Sequence, residues 1–333
     1  MMSAAILGPE GPRLEADERA FFAEAQPWGF ILFARNVEDP AQLRRLTGDL
    51  RAAVGRDAPI LVDQEGGRVQ RLRAPHWREW RPPLDFVRAA GPEDAPRAMW
   101  LRGRLIADEL AAVGIDVNCT PCADLARPET HPFLHNRCYG GTPETVAELS
   151  HSLAEGQAAG GVLSVMKHLP GHGRATLDSH HHLPRIDATE ADLEGDFATF
   201  RALADLPMAM TAHIVLEALS DRPATHDPAM IALIRERIGF AGLLMTDDLS
   251  MEALGGDVSA RAGQAIAAGC DLALHCNGKR AEMERVVAAA GPLTGAAAAR
   301  AEAALAARPA PEPLDPAAAE AELAALLAPR HDG

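Results

Sequence analysis

AAGGVLSVMKH, residues 158–168, joins the end of a predicted helix to a short apolar run that stops at two basic side chains. Its apolar residues do not alternate with polar ones, so both faces of the predicted strand should be buried, as in a parallel sheet. The same order of helix, glycine, apolar run and polar end recurs along the chain. Clear copies occupy 111–124, 236–248 and 267–277, and looser runs occupy 4–8, 26–36, 55–65 and 206–214.

Eight such runs separated by helical segments predict an α/β fold, a (β/α)8 TIM-type barrel, with residues 1–291 forming a single catalytic domain. The alternative is a doubly wound open sheet, but no G-x-G-x-x-G motif follows an early strand and no P-loop motif occurs. Residues 292–333 are rich in Ala and Pro. We expect them to form helices that pack outside the barrel as an extension of the same domain.

Composition excludes several functional classes. The 333-residue chain has 32 Lys and Arg against 47 Asp and Glu, a formal charge of −15, which disfavours a general nucleic-acid binder. An odd number of cysteines, 5, disfavours a disulfide scaffold, and the Cys119-x-x-Cys122 pair is interpreted as two core thiols. No signal peptide is recognisable, and no apolar run reaches the ~18 residues of a membrane span. We expect a soluble, cytoplasmic monomer that binds neither nucleic acid nor membranes.

Polar residues at the ends of the apolar runs are the candidates for chemistry. The active site of a parallel barrel lies at the carboxyl ends of its strands, where an unpaired buried charge is costly. The candidates are Asp63, Glu65, Asp124, Lys167, His168, His213, Asp247, Asp248 and Asn277. For any one of them, a salt bridge that closes the barrel end is the structural alternative.

The segment KHLPGHGRATLDSHHHLP, residues 167–184, is typical of a lid or binding loop because it is long and lacks periodicity. Asp178 lies two residues before His180. A carboxylate that hydrogen-bonds a histidine fixes its tautomer and stabilises its cation, so His180 is a candidate proton-transfer group. The competing interpretation is a zinc site that uses His180 and His182.

The segment DQEGGRVQR, residues 63–71, supplies two acids and two arginines around a Gly-Gly turn. Asp63 is suited to accept hydrogen bonds from sugar hydroxyls. Arg71 and the more distant Arg137 are suited to contact a carboxylate or hydroxyls. An internal ion-pair cluster is the alternative for these three side chains.

Three motifs in this order resemble the β-N-acetylglucosaminidases of glycoside hydrolase family 3. They are DQEGGRVQR, KHLPGHG followed by DSH at 178–180, and TDDLSM at 246–251. The resemblance runs from about residue 5 to 280 and is nearest to the single-domain bacterial type used in peptidoglycan recycling. Leu169 stands where the family usually has Phe, and Cys138 stands in the arginine-bearing segment.

The resemblance implies that Asp247 is the nucleophile and that His180 is the general acid/base, with Asp178 as its partner. It also implies that the N-acetylglucosamine unit is bound by Asp63, Arg71, Arg137, Lys167 and His168.

The implied reaction is a retaining exo-cleavage, without metal or other cofactor. It would release terminal β-linked N-acetylglucosamine from 1,6-anhydromuropeptides through a covalent glycosyl-enzyme. Such an enzyme would act in cell-wall biogenesis, and through it in cell shape, cell division and the cell cycle. Two alternatives stay open: an N-acetylglucosamine glycoside phosphorylase and a zinc-dependent barrel hydrolase.

Overall fold

Eight parallel strands curve into a nearly closed barrel in the computed structural model, which describes residues 1–328. The predicted TIM-type fold is therefore confirmed. In chain order the strands are β1 (Ser3–Leu7), β2 (Pro27–Leu32), β3 (Ile60–Val62), β4 (Val117–Asn118), β5 (Leu163–Leu169), β6 (Met208–Thr211), β7 (Leu243–Met245) and β8 (Ala273–His275).

From β1 to β7 each strand pairs in parallel with the next, and β8 returns to pair with β1. A parallel bridge between Met245 and Leu272 links β7 to the segment that enters β8. The strands are buried on both faces, as the unbroken apolar runs predicted. Their carboxyl ends consequently gather at one end of the barrel.

Helices surround the sheet. They are α1 (Ala16–Ala25), α2 (Pro40–Val54), α3 (Pro83–Ala111), α4 (Pro132–His135), α5 (Pro143–Ala159), α6 (Glu190–Ala202), α7 (Pro228–Glu236), α8 (Val258–Ala268), α9 (Arg280–Ala290), α10 (Gly295–Ala306) and α11 (Pro316–Leu326). Helix α2 illustrates their local rules: the Asp39 side chain caps its first turn, and Gly55 ends it at φ 66°. Between these caps Leu43, Leu46 and Leu50 are buried, so one apolar face meets the sheet.

Two small sheets follow the carboxyl ends of the barrel strands. A hairpin of Gln64–Gly66 and Val69–Gln70 follows β3 and carries the arginines of the DQEGGRVQR motif. Arg185–Ile186 pairs in parallel with Val215–Leu216, and this pairing fixes the end of the long loop after β5 against the segment after β6.

The predicted carboxyl-terminal helices are α10 and α11, which pack against the outside of the barrel. Buried alanines attach α10, and Leu323 attaches α11 next to α3. The division at residue 291 stays a prediction, and residues 329–333 of the predicted extension lie outside the described residues. Within residues 1–328, no helix combines the length and the apolar character needed to cross a bilayer.

Candidate active site

The carboxyl ends of the strands surround a cavity of about 190 Å³. The residues that line it include eight predicted from the sequence: Asp63, Arg71, Arg137, Lys167, His168, His180, Asp247 and Asp248. Asp178, also predicted, lies behind His180 and contacts it directly. The barrel therefore brings together residues from across the predicted set.

A buried ion-pair network forms one wall of the cavity. Lys167 Nζ lies 2.7 Å from both Asp63 Oδ1 and Glu65 Oε1. Arg137 binds Glu65 through two hydrogen bonds of 2.8 Å, and Arg71 donates to Asp63 Oδ2 over 3.0 Å. The alternative of an ion-pair cluster is therefore observed, and Asp63, Arg71, Arg137 and Lys167 also face the cavity; sugar binding by these side chains stays a prediction.

The cations of this network keep both acids ionised. Burial alone would raise the pKa of each carboxyl group, but the facing positive charges outweigh it. Lys167 and Arg71 hold the pKa of Asp63 far below its usual range. Arg137 and Lys167 lower the pKa of Glu65 to about 2. The wall therefore presents fixed charges, with donors and acceptors already oriented toward a polar ligand.

His168, at the end of β5, belongs to a second buried pair. Its Nδ1 donates to Asp124 Oδ2 over 2.6 Å, and its Nε2 lies 3.4 Å from an Arg137 nitrogen. Burial opposes the charged imidazole, but the Asp124 carboxylate outweighs burial and raises the pKa of His168 to about 9. Asp124 is itself oriented by the His172 backbone amide, which donates to Oδ1 over 2.6 Å.

Asp247 follows β7 and Thr246, and its carboxylate reaches the cavity. Burial raises its pKa, but His168 and His213 outweigh burial, so the pKa of Asp247 lies below its ordinary value. The next residue, Asp248, also lines the cavity, but its side chain accepts hydrogen bonds from the Ser250 amide (2.9 Å) and hydroxyl (2.5 Å). The first acid is thus an ionised group at the cavity, and the second is held by hydrogen bonds within the loop.

The pair His180–Asp178 lies on the loop after β5. His180 Nδ1 donates to Asp178 Oδ1 over 2.7 Å, so Nε2 is the ring atom that remains for proton exchange. The backbone amide of Glu252 donates to the His180 carbonyl over 3.1 Å and ties this loop to the segment after Asp247. Phe133 packs edge-on against the imidazole, with ring centroids 6.0 Å apart.

Known proteins are similar to this chain in sequence and in architecture. The glycosyl hydrolase family 3 N-terminal domain matches residues 3–305. A protein named beta-hexosaminidase from Alkalilimnicola ehrlichii is 38% identical over 284 residues, which are 83% of this chain and 81% of the relative. The chain belongs to glycosyl hydrolase family 3.

Solved structures agree with this family membership. The crystal structure of NagZ from Neisseria gonorrhoeae in complex with N-trifluoroacetyl-D-glucosamine superposes with a TM-score of 0.82. It is 30% identical, with 98% of this chain and 99% of that chain covered. A family 3 β-N-acetylglucosaminidase from Paenibacillus sp. FPU-7 gives a TM-score of 0.79 at 28% identity, covering 99% of this chain and 63% of that one. This family 3 protein is a glycoside hydrolase, and its relatives support action on N-acetylglucosamine.

Some polar residues that sequence analysis selected lie outside the family 3 cavity. Asn277 binds Glu282 and the Lys279 amide near the start of α9. His213 is buried between Thr225 and the Asp248 carbonyl, where it supports the Asp247 loop. Within residues 1–328, metal-ligand side chains cluster at Cys122, Asp124 and His168, and His180 and His182 are not part of that cluster.

The residues that line the cavity and were missed include Arg68, Phe133 and Met251. Arg68 Nε donates to the Phe133 carbonyl over 3.1 Å, and its guanidinium lies 5.7 Å from the Phe133 ring centre. A signal for Arg68 existed, because it lies in DQEGGRVQR three residues before Arg71. Phe133 offered none, since its approach to His180 depends on where the loop after β4 folds.

Proposed function

We propose that this family 3 enzyme is a retaining exo-β-N-acetylglucosaminidase. Its substrate is a 1,6-anhydromuropeptide, from which it removes the terminal β-linked N-acetylglucosamine during cell-wall recycling. One observation carries the proposal: an ionised carboxylate, Asp247, and a carboxylate-held imidazole, His180, face the same cavity as a fixed network of hydroxyl-binding groups.

In the first half-reaction, an Asp247 oxygen attacks the anomeric carbon while the bond to the aglycone oxygen breaks. The departing oxygen takes a proton from His180 Nε2, and a covalent glycosyl-enzyme forms. In the second half-reaction, His180 takes a proton from water, the water oxygen attacks the same carbon, and Asp247 leaves. Two inversions give net retention.

The His–Asp pair takes the place of the acid/base carboxylate found in most retaining glycosidases. Asp178 accepts the Nδ1 hydrogen throughout, which holds the tautomer and stabilises the imidazolium. Burial tends to raise the pKa of Asp178, but its hydrogen bonds to His180 outweigh that effect and lower it. Asp178 therefore remains an anion while the imidazole gains and loses its proton.

The network wall is suited to the sugar that is cleaved off. Asp63 presents acceptor oxygens, and Lys167, Arg71, Arg137 and His168 present donors, so the wall offers sugar hydroxyls groups of both polarities. The ion pairs hold these side chains before the sugar arrives, which lowers the entropy cost of binding.

The position of Arg68 favours a substrate whose departing group, the aglycone, is anionic. Among residues 1–328, Arg71, Arg137 and Lys167 pair with acids, whereas Arg68 makes no salt bridge and is exposed at the cavity. Phe133 contacts both Arg68 and His180, so Arg68 lies on the side where the departing oxygen is protonated. A muramyl carboxylate on that side would gain a cation in a protein whose formal charge is −15.

The direct test is hydrolysis of para-nitrophenyl N-acetyl-β-glucosaminide. Asp247→Asn should lose at least about 10³-fold in kcat, because the nucleophile is gone. Asp221→Asn, which changes an exposed acid that is not among the residues lining the cavity, is the matched control and should keep full activity. Full activity of Asp247→Asn, or release of the α-anomer seen by NMR, would refute the proposal. A 2-fluoro sugar that labels Asp247 would separate an enzyme nucleophile from assistance by the substrate acetamido group.

A phosphorylase is the second candidate, and the acid/base histidine favours it. A neutral imidazole does not repel phosphate as a carboxylate would, so phosphate could replace water in the second half-reaction. Product analysis in phosphate-containing and phosphate-free buffer distinguishes the two: sugar 1-phosphate indicates a phosphorylase, and free sugar in both buffers indicates a hydrolase.

We also propose that the enzyme acts as a cytoplasmic monomer. All five cysteines are unpaired and buried, which fits a reducing compartment. Recycling of wall fragments in that compartment would connect the enzyme to cell-wall biogenesis, cell shape and division. Light scattering of the purified protein tests the monomer.

A further inference from the structure

Two thiols that the proposed reaction does not use lie beside the Asp124–His168 pair. Cys122 Sγ is 3.6 Å from Asp124 Oδ2, and Cys138, which packs in the same buried cluster as Cys122, donates to the Leu134 carbonyl over 3.5 Å. All four side chains are buried, with exposures of 0% for both cysteines, 1% for Asp124 and 5% for His168. Thiolate, imidazole and carboxylate together form a donor set that zinc and cadmium bind well.

The spacing of these donors suits a shared ion. In tetrahedral zinc sites, Zn–S bonds of about 2.3 Å and Zn–O bonds of about 2.1 Å place sulfur and oxygen about 3.6 Å apart. Cys122 and Asp124 already have that separation. The ligand atoms of Cys122, Asp124 and His168 all lie within 4.8 Å of one another. Asp124 and His168 are closer, at 2.6 Å, because they share a proton, and an ion that replaces the proton would move them apart by under about 1 Å.

The surroundings orient these ligands. Asp124 Oδ1 is held by the His172 amide at 2.6 Å, which leaves Oδ2 directed at Cys122 and His168. The His172 ring is 2% exposed and centred 5.7 Å from that of His168. Both of its nitrogens lack a hydrogen-bond partner within residues 1–328, so the site includes an unpaired buried donor.

We propose that Cys122, Asp124 and His168 bind one thiophilic divalent cation, Zn²⁺ or Cd²⁺, with Cys138 as the fourth ligand, and that this ion inhibits the enzyme. The thiol protons and the His168 Nδ1 proton pass to solvent as the metal–ligand bonds form. Because His168 also lines the sugar cavity, the bound ion shifts its imidazole from the position that meets the sugar, and a misplacement of up to about 1 Å is enough to reduce activity strongly. This inhibition rests on the proposed function, whereas binding of the ion does not.

Cobalt is the direct probe of the site, because sulfur-to-cobalt charge-transfer absorption reports thiolate ligands without any activity measurement. The full-length protein should bind one Co²⁺ with this absorption, and Zn²⁺ or Cd²⁺ should displace it. Cys122→Val and Cys138→Ala should lose the absorption. The Zn²⁺ concentration that inhibits these two variants by half should be at least about tenfold higher than for wild type. Their turnover in metal-free buffer should stay within about twofold of wild type.

The matched control is Cys270→Ala, which removes a buried thiol that bonds the Thr225 carbonyl outside this cluster. It should keep the absorption and the wild-type sensitivity to Zn²⁺. Cys122→Ser replaces Cys122→Val if the valine variant fails to fold.

Two results would overturn the proposal. One is a wild-type protein without charge-transfer absorption, and the other is a Cys122 variant inhibited at the wild-type Zn²⁺ concentration. The second result would place the inhibitory ion elsewhere, such as on the Asp178–His180 pair. His180→Ala, measured by absorption alone, separates these sites, because it should retain the thiolate signal. A protein that shows this signal but cleaves no N-acetylglucosaminide would keep the metal site and refute the proposed function instead.

Discussion

Replacing Glu65 by Gln should remove about 3 kcal/mol from the free energy of unfolding at pH 7, because the substitution neutralises the centre of a buried ion-pair network. Glu65 has a fully buried side chain, and it accepts two hydrogen bonds from Arg137 and contacts Lys167 at 2.7 Å. The variant keeps the shape of the side chain but leaves Arg137 without its anionic partner and leaves Lys167 with Asp63 alone.

Two routes lead to this magnitude. The pKa of Glu65 falls from 4.5 to about 2 in the folded protein. At about 1.4 kcal/mol per pH unit, that difference corresponds to about 3 kcal/mol of stability. Removal of one partner from a buried ion pair independently costs about 3–5 kcal/mol in other proteins.

The pH dependence of this loss has a definite sign. A folded-state pKa below the unfolded value means that the carboxylate contributes its full stability above about pH 4.5. The contribution is lost as the pH falls toward 2. The difference between wild type and Glu65→Gln should therefore be about 1 kcal/mol smaller at pH 3.5 than at pH 7.

Urea unfolding of both proteins, followed by circular dichroism at pH 7 and pH 3.5, measures the difference. Glu79→Gln is the matched control, because Glu79 pairs with Arg73 at 2.8 Å but its side chain is 49% exposed. That surface pair should contribute less than about 1 kcal/mol. A Glu65→Gln loss no larger than the control, or one that stays constant between the two pH values, would refute the reasoning.

Three further variants test individual groups. Asp124→Asn should lower the pKa of His168 from about 9, and NMR of the imidazole measures this change. In the wild type, the stability that comes from the raised pKa is complete below pH 6.5 and is lost as the pH rises toward 9. The decline in the free energy of unfolding over this pH range should therefore be smaller in the variant than in the wild type. His180→Ala should reduce kcat on chitobiose by at least about 10²-fold but have much less effect on aryl glycosides with good leaving groups, and equal losses would contradict the acid role. Arg68→Gln should raise KM about tenfold for an N-acetylglucosaminyl anhydromuramic acid with a free carboxylate and leave KM for neutral chitobiose unchanged, whereas Arg68→Lys should retain part of the preference; equal changes on both substrates would contradict an anion-binding role.

The order of strands and helices could be predicted from local sequence patterns. Apolar runs such as VLSVM in 158–168 lack alternation, and this property follows from burial of both strand faces in a parallel barrel. Helix caps are equally local, since Asp39 and Gly55 act on backbone groups within the same helix. Candidate residues for chemistry could also be predicted, because a parallel barrel places the carboxyl ends of all its strands at one rim.

Contacts between side chains at different strand ends could not be predicted from local sequence patterns. Asn277 ends an apolar run as Asp247 does, yet it binds Glu282 instead of facing the cavity. Glu65 looked like one acid among several until the structure placed it between Lys167 and Arg137. Phe133 lines the cavity because of the path that the loop after β4 takes, and no periodic sequence pattern predicts that path.

By itself, the sequence determined an eight-stranded barrel with an acidic net charge, and three local motifs indicated its family. The tertiary structure alone decided which acids and bases pair, which donor set surrounds His168, and which cavity-lining arginine makes no salt bridge within residues 1–328. The reason is physical: strand period and helix caps depend on neighbours within a few residues, whereas His168 meets Cys122 and Asp124 only once the barrel register sets their separations.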